Sequence, residues 1–389
     1  MKKRKIVLVS DSRCSHSLYI PVLDAIRENP LLEYHYIVTG MHLSEEFGGT
    51  ERTIAEEGYA IGSRIGVSYG SAGRREQAKA VGKWVCAFAD EFCRIKPDII
   101  LVQGDRGVSL AAAVAGAYMN IPVAHMFGGE VSGTVDESAR HAITKLSHIH
   151  FPESRASAER LVRMGEDSWR VHLAGSTGVA FIRSRKLLGR KEVAGKFGID
   201  PKKPFMVVLQ HPVSFEAELA ERQMLETMNA VFEVGVQTIA VYPGDDPGGR
   251  EIIGVVKEFE SKPKKFLFKS YKNIPYLDYL SLLKHSACLV GNSSGGIIEA
   301  PSLGTPVVNI GSRQQSREMA GNIISVGYDS GSIKKAVKKC LGDKKFIASV
   351  RGLKTPYDPF GKGDAGERIA KALAEIKIDE RLLAKRISY

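Results

Sequence analysis

Short, wholly apolar runs recur along the chain, each bounded by glycine, proline or polar clusters and most followed by a longer stretch with helical spacing of its apolar residues. Ile6-Val7-Leu8-Val9 opens the series inside a strand expected from Lys5 to Ser10, and a helical pattern follows from Leu18 to Ile26. Tyr34 to Val38, Pro97 to Val102, Ile121 to His125, His148 to Phe151 and Arg170 to Ala174 continue it. Between them helices are expected at about Gly73 to Ile95, Val108 to Met119, Glu137 to Ser147 and Ala156 to Met164. Beyond Gly175-Ser176-Thr177-Gly178 the chain turns basic and polar from Arg183 to Lys203, which reads as a linker. A second series then runs Phe205 to Leu209, Thr238 to Tyr242, Phe266 to Phe268, Ala287 to Val290, Pro306 to Ile310 and Ile323 to Val326. Strands that are apolar throughout, rather than at alternate positions, are buried on both faces, and regular alternation with helices predicts parallel sheets. The expected fold class is α/β: two doubly wound Rossmann-like domains facing across a cleft, residues 1–178 and 179–364, with a terminal helical segment, 365–389, packing back on the first.

A chain of 389 residues suits two such cores. No apolar run approaches the ~20 residues of a membrane span, and no signal peptide precedes the first strand, so a cytoplasmic protein without a membrane partner is expected. The five cysteines, Cys14, Cys86, Cys93, Cys288 and Cys340, have no metal-ligand spacing and read as reduced core residues. No metal cluster stands out. The formal charge of +11 raises the question of a partner. Its lysines, as at Lys202-Lys203, Lys334-Lys335 and Lys338-Lys339, are not interleaved with aromatic residues, and no helix-turn-helix or finger spacing appears. A basic field that draws in a small, doubly anionic substrate is the preferred reading, and nucleic acid is ranked last.

Polar clusters follow strand after strand, where α/β folds place ligand contacts. The most pointed is Gly291-Asn292-Ser293-Ser294-Gly295-Gly296, between the apolar run ending at Val290 and an amphipathic segment, Ile297 to Leu303. Small residues let a ligand approach the backbone, and a helix's first turn suits a pyrophosphate. Glu299 then lies within reach of the ribose hydroxyls. The plain alternative is a turn that allows tight strand-helix packing, with Glu299 solvated. Arg13 after the first strand is a phosphate ligand or a surface arginine; Asp105, after Gln103-Gly104, is a functional acid or a helix cap. Gly40-Met41-His42 ends the second strand, and Gln210-His211-Pro212 another. Met126 to Glu137 carries glycines at 128, 129 and 133 with Glu130, Asp136 and Glu137, and the helix after it pairs Asp136 with Arg140 and Glu137 with His141 at i, i+4. Capping and surface ion pairs would account for each group singly; their density points to chemistry.

Taken together, Gly104 to Arg106, Gly128 to His148, Gln210 to Pro212, Gly291 to Glu299 and Gly304 to Gln314 resemble, in order and spacing over almost the entire chain, the UDP-N-acetylglucosamine 2-epimerases, specifically their hydrolysing branch. The resemblance implies a glycosyltransferase-B-like fold and a UDP-sugar substrate held mainly by the second domain, with no redox cofactor or metal and a homodimeric or higher assembly. It implies that Ser293, Ser294 and Gly295 bind the pyrophosphate and Glu299 the ribose, with Arg13, Arg106, His211 and Arg313 near the phosphates; His42, by its place at a strand end, is expected to line the same site. Asp105 and Asp136 match positions implicated in proton transfer, with Glu130, Glu137, Arg140 and His211 around them. The implied reaction eliminates UDP to give a 2-acetamidoglucal and then hydrates it to a free 2-epimeric sugar of the N-acetylmannosamine type. A glycosyltransferase of the same fold and a UDP-sugar binding protein without turnover are the alternatives. Two departures stand out. Phe127 occupies a place where many members carry Glu or another polar residue, so that group's role passes to Glu130, or the substrate or turnover differs. Cys14 to Leu18 departs from the usual sequence after the arginine, which leaves the choice of nucleotide and sugar open.

Overall fold

The computed structural model describes residues 2–45, 48–69, 73–132, 136–244 and 246–388. Among these, twelve strands form two six-stranded parallel sheets. The first contains β1 (Arg4–Ser10), β2 (Leu32–Thr39), β3 (Ser63–Ile65), β4 (Ile99–Gln103), β5 (Val123–Met126) and β6 (Ile149–Phe151), in the order β3-β2-β1-β4-β5-β6. The second contains β7 (Phe205–Leu209), β8 (Gln237–Val241), β9 (Phe268–Tyr271), β10 (Cys288–Gly291), β11 (Val307–Ile310) and β12 (Ile323–Val326), in the order β12-β11-β10-β7-β8-β9. Read from its other edge, the second order repeats the first. Both sheets are doubly wound, as the apolar runs predict, and each reverses its winding at a switch point, β1/β4 in one and β7/β10 in the other.

The chain divides into two compact units: Met1–Glu130 with Asp136–Ser184 and Tyr357–Tyr389, and Val131–Val135 with Arg185–Pro356. In the first, alternate strand residues Val7, Val9, Ile37, Ile100 and Val102 pack with Trp84, Phe88 and Phe92 of helix Gly73–Ile95 and the alanines of helix Gly107–Tyr118. Helix Arg13–Glu28 packs on helix Ala365–Glu375, so the end of the chain completes this unit. In the second, Met206, Val208, Cys288 and Val290 form one core layer, and Val207, Leu209, Leu289 and Val307 the other.

Several expectations need correction. Arg170 to Ala174 is not a strand: a 3-10 turn, Ser168–Arg170, and one bridge between His150 and Val171 stand there. Arg170 is buried and its guanidinium donates to the carbonyls of His148, Arg381 and Leu382, contacts that no local pattern announces. The basic stretch read as a linker contains helix Arg190–Phe197, with Val193, Ala194 and Phe197 buried against β7 residues. Edge strand β9 lies a few residues beyond Phe266 to Phe268, and three-residue β3, too short and polar to show a pattern, was not foreseen. Cys14, Cys86 and Cys93 are exposed; only Cys288 and Cys340 are core residues, and all five are free. No described helix is long and apolar enough to cross a membrane.

Candidate functional site

The β1/β4 switch point of the first unit is closed by an ion pair. Asp11, buried just after β1, accepts from Arg106 Nε at 2.7 Å, just after β4, while the guanidinium also lies 5.5 Å from the centre of the Tyr69 ring. Arg106 is therefore held at the strand ends rather than loose on the surface. Arg13 sits beside them as the first residue of helix Arg13–Glu28, which is capped by Ser12 and begins earlier than the expected Leu18. Asp105 does not cap the helix after β4, whose cap position is Arg106. Its carboxylate, partly exposed, pairs with buried Arg140, which reaches across from helix Asp136–Leu146 and also donates to the Glu130 carbonyl at 3.2 Å. Asp136 and Glu137 begin that helix, Glu137 lying 3.5 Å from His141 Nε2. Gly133 to Val135, leading into it, lie outside the described residues.

His125, at the end of β5, supports this arrangement although it was not singled out. A carbonyl only accepts, so the 2.7 Å contact to Gly104 O puts the proton on Nε2, and Nδ1 then accepts from the Thr144 hydroxyl at 3.3 Å. Burial pulls its pKa down to about 3, so it stays neutral and fixes the turn that presents Asp105. The only available sequence signal was its place at a strand end. Phe127, just beyond, is buried with φ of +68°, a left-handed conformation that a side chain rarely adopts; its N–H donates to Phe151 O at 3.1 Å.

Two predicted site residues are placed differently from expectation. His42 is fully buried, with Nε2 2.8 Å from Ser10 Oγ and Nδ1 2.8 Å from Thr50 Oγ1, so neither nitrogen is offered to a nucleotide. Burial holds it neutral as well, at about 3, and it props the loop after β1 from beneath. Glu130 is also buried: one carboxylate oxygen accepts from Ser157 Oγ and the other faces the Tyr357 hydroxyl at 3.5 Å. It ties the glycine-rich loop to the returning chain, and at Gly129 before it, φ is +78° and a Cβ would fall 2.3 Å from Ser157 O.

These neutral histidines make the first unit acid-sensitive. Unfolded, each takes up a proton near pH 6.5; folded, each resists until about pH 3, so the unfolded chain binds more protons in between and stability falls as pH drops through that window. Between pH 7.5 and 5.5 the pair should remove about 3 kcal/mol. Both tryptophans, Trp84 and Trp169, lie in this unit, so urea unfolding followed by their fluorescence reads the change directly. An unchanged midpoint would contradict it.

The β7/β10 switch point of the second unit is closed by Asn292. Its Oδ1 accepts from the His211 N–H at 2.7 Å and its Nδ2 donates to His211 O at 2.9 Å, so one buried amide binds both main-chain groups of the second residue after β7. Its own carbonyl accepts from Arg313 at 3.2 Å and from Gln314 at 2.9 Å. His211, Ser293 and Arg313 are thereby gathered at the strand ends by a residue that sequence reasoning passed over. Gly291 makes the turn possible, with φ of +137° and an added Cβ only 2.0 Å from Leu209 O. The expected helix Ile297 to Leu303 is instead two short turns, Gly295–Ile298 and Ala300–Leu303, meeting at Glu299. Glu299 is not solvated. It is buried, Oε1 accepts from Tyr276 at 3.0 Å, and Oε2 has no hydrogen-bond partner among the described residues; burial raises its pKa. A built Cβ on Gly295 lies 3.3 Å from that oxygen and 3.5 Å from Ser293 Oγ, which places Ser293, Gly295 and Glu299 around one spot.

A family model described as UDP-N-acetylglucosamine 2-epimerase matches residues 24–374. The chain belongs to the UDP-N-acetylglucosamine 2-epimerase family. A Legionella pneumophila relative named UDP-N,N'-diacetylbacillosamine 2-epimerase (hydrolyzing) is 35% identical over 386 residues, covering 99% of this chain and 100% of the relative. A Neisseria meningitidis UDP-N-acetylglucosamine 2-epimerase is 33% identical over 382 residues, covering 95% of each. The crystal structure of a Neisseria meningitidis UDP-GlcNAc 2-epimerase bound to UDP-GlcNAc superposes with a TM-score of 0.81 at 19% identity, covering 96% of this chain and all of that one. These findings bear out the epimerase resemblance, including its hydrolysing branch, and the likeness of fold.

Proposed function

We propose that this epimerase converts a UDP-2-acetamido sugar, UDP-N-acetylglucosamine or a diacetamido relative, into UDP and the free 2-epimer. In the first step a carboxylate of the Asp105 and Asp136 group takes the proton from C2, the C2 electrons form the C1–C2 double bond, and the C1–O bond breaks with its electron pair leaving on UDP. Water then adds: hydroxyl to C1, and a proton to C2 on the opposite face. No electron is gained or lost overall, so no redox cofactor is called for. Asp105 is paired with the buried Arg140 guanidinium, and Asp136 provides a second carboxylate in a different setting; two carboxylates in differing surroundings can divide base and acid roles. Ser293, Ser294 and Gly295 take the pyrophosphate, with His211 and Arg313 of the same unit as its polar neighbours, and the family resemblance assigns Arg13 and Arg106 to the phosphates as well; Glu299 takes the ribose hydroxyls with the oxygen that has no partner among the described residues. Glu137 and Arg140 orient, while His42 and Glu130 support from beneath. A cytoplasmic homodimer is part of this reading, on the strength of the family resemblance.

The near full-length likeness to a relative named as a hydrolysing 2-epimerase carries the proposal. Proton and phosphorus NMR in heavy water with UDP-N-acetylglucosamine and UDP-N,N'-diacetylbacillosamine tests it. Free UDP should appear in step with a free 2-epimer deuterated at C2. Intact substrate in both tubes, from a folded chain that binds UDP, would overturn it, as would transfer of the sugar to an added acceptor. Glu299→Gln should weaken UDP about 10- to 100-fold in calorimetry, the worth of a charge-assisted hydrogen bond, without lowering the melting temperature, because a buried charge is removed.

A further inference from the structure

A buried charge cluster that the proposed reaction does not use lies at the far end of the helix that supplies its acidic groups. Helix Asp136–Leu146 starts with Asp136 and Glu137, and one turn on it sends Arg140 to Asp105. Its other end, about 15 Å away at ~1.5 Å per residue, leaves unsatisfied carbonyls. Lys385, from the last stretch of the chain, donates to them: Nζ lies 2.9 Å from Thr144 O, 3.0 Å from Lys145 O and 2.6 Å from Ser147 O. The same ammonium is 2.7 Å from Glu166 Oε2, a fully buried carboxylate that also accepts from His150 Nε2 at 2.9 Å and from Lys145 Nζ at 3.0 Å. Burial alone would raise the Glu166 carboxyl, but His150 and Lys385 outweigh it and hold it at about 2, so the anion is present throughout the working range.

The tail that brings Lys385 is itself fastened. Arg170 donates to Arg381 O and Leu382 O at 2.8 Å each, Leu382 is buried, and the Ser388 N–H donates to Gly165 O at 3.1 Å. Withdrawing a carboxylate and an ammonium from water costs several kcal/mol per ion, recovered only where the geometry satisfies both. Here every donor of one lysine is spent on a helix end and the anion beside it.

We propose that Lys385 is a positioning residue: by capping the carbonyl end of helix Asp136–Leu146 it sets that helix along its axis, and so fixes Asp136 and Arg140 at the other end. A helix transmits an axial shift along its length, and misplacement of a reacting group by about 1 Å costs about 10²-fold in rate. The residues proposed for the nucleotide from His211 to Arg313 belong to the other compact unit.

The assignment of a catalytic consequence rests on the function proposed above, and the test separates the two. In the full-length chain, Lys385→Met should lower kcat about 10- to 100-fold while the UDP dissociation constant changes less than about twofold. Lys385→Arg, which keeps charge and donors, should restore most of the rate, and Arg386→Met on the exposed neighbour should leave it at the parental value. Glu166→Gln, which removes the anion beside the ammonium, should reproduce the selective loss of kcat, and stands in if Lys385→Met does not fold. Hydrogen exchange of the amides around Arg140 should quicken in either variant, a readout independent of turnover. Parental kcat in both folded variants, or kcat and UDP affinity falling together, would overturn the inference. A parent chain that releases no free sugar would overturn the proposed reaction instead, and the exchange measurement would still decide whether Lys385 fixes the helix.

Discussion

Replacing Asp105 with Asn is expected to cut release of the free 2-epimer about 10²- to 10⁴-fold, the usual contribution of a positioned general base or acid, with UDP affinity near the parental value. Asp105 is partly exposed, set on the turn after β4 that neutral His125 holds, and paired with Arg140. The amide keeps the shape and can still accept from the guanidinium through Oδ1, so the fold should survive; Ala would not do this, and would leave the buried Arg140 guanidinium without that acceptor. Product formation by phosphorus NMR, UDP binding by calorimetry and deuterium at C2 together locate the loss. A rate within about threefold of the parent would remove Asp105 from the proton transfers.

Gly291→Ala should have the largest effect on the second unit. The residue sits at the end of β10 with φ of +137°, and a Cβ would lie 2.0 Å from Leu209 O, the carbonyl that also accepts the Asn292 N–H at 3.2 Å. Real Cβ atoms do not come so close, so β7 and β10 must separate or the turn must refold. Either outcome dislodges Asn292 from the His211 main chain. A loss of about 3–5 kcal/mol is expected, which for a unit of this size lowers the melting temperature by roughly 10 °C, and UDP affinity should fall with it. A variant that melts with the parent and binds UDP normally would show that the turn tolerates a side chain.

The architecture was legible because its strands are buried on both faces and therefore apolar throughout; Ile6 to Val9 and Phe205 to Leu209 announce themselves without help from the rest of the chain. Where the stabilising partner is distant, the pattern fails. Arg170 looked like the start of a strand, but its guanidinium bonds to carbonyls more than 200 residues away. The same limit applies at the site. Strand-end position was enough to mark Asp105 and His211, helical spacing from Ser294 marked Glu299, and the comparisons support the family resemblance those motifs carry. It could not tell a group that faces a ligand from one that props the loop beneath it, so His42 and Glu130 were read as ligand and catalyst although each is buried against its own unit. Asn292 was in view within the Gly291 to Glu299 motif, yet its role depends on His211, 81 residues earlier.

The path of the chain also constrains its synthesis. Tyr357 faces Glu130, Arg4 donates to Leu373 O, and Lys385 closes the helix end beside Glu166, all inside the first unit. On the ribosome the six strands of the first sheet are therefore made early, but their unit lacks its last helix and tail until the second half has emerged. The unit begun first is the unit completed last, and a stall late in translation would leave Arg170 and Glu166 without the tail groups they bind.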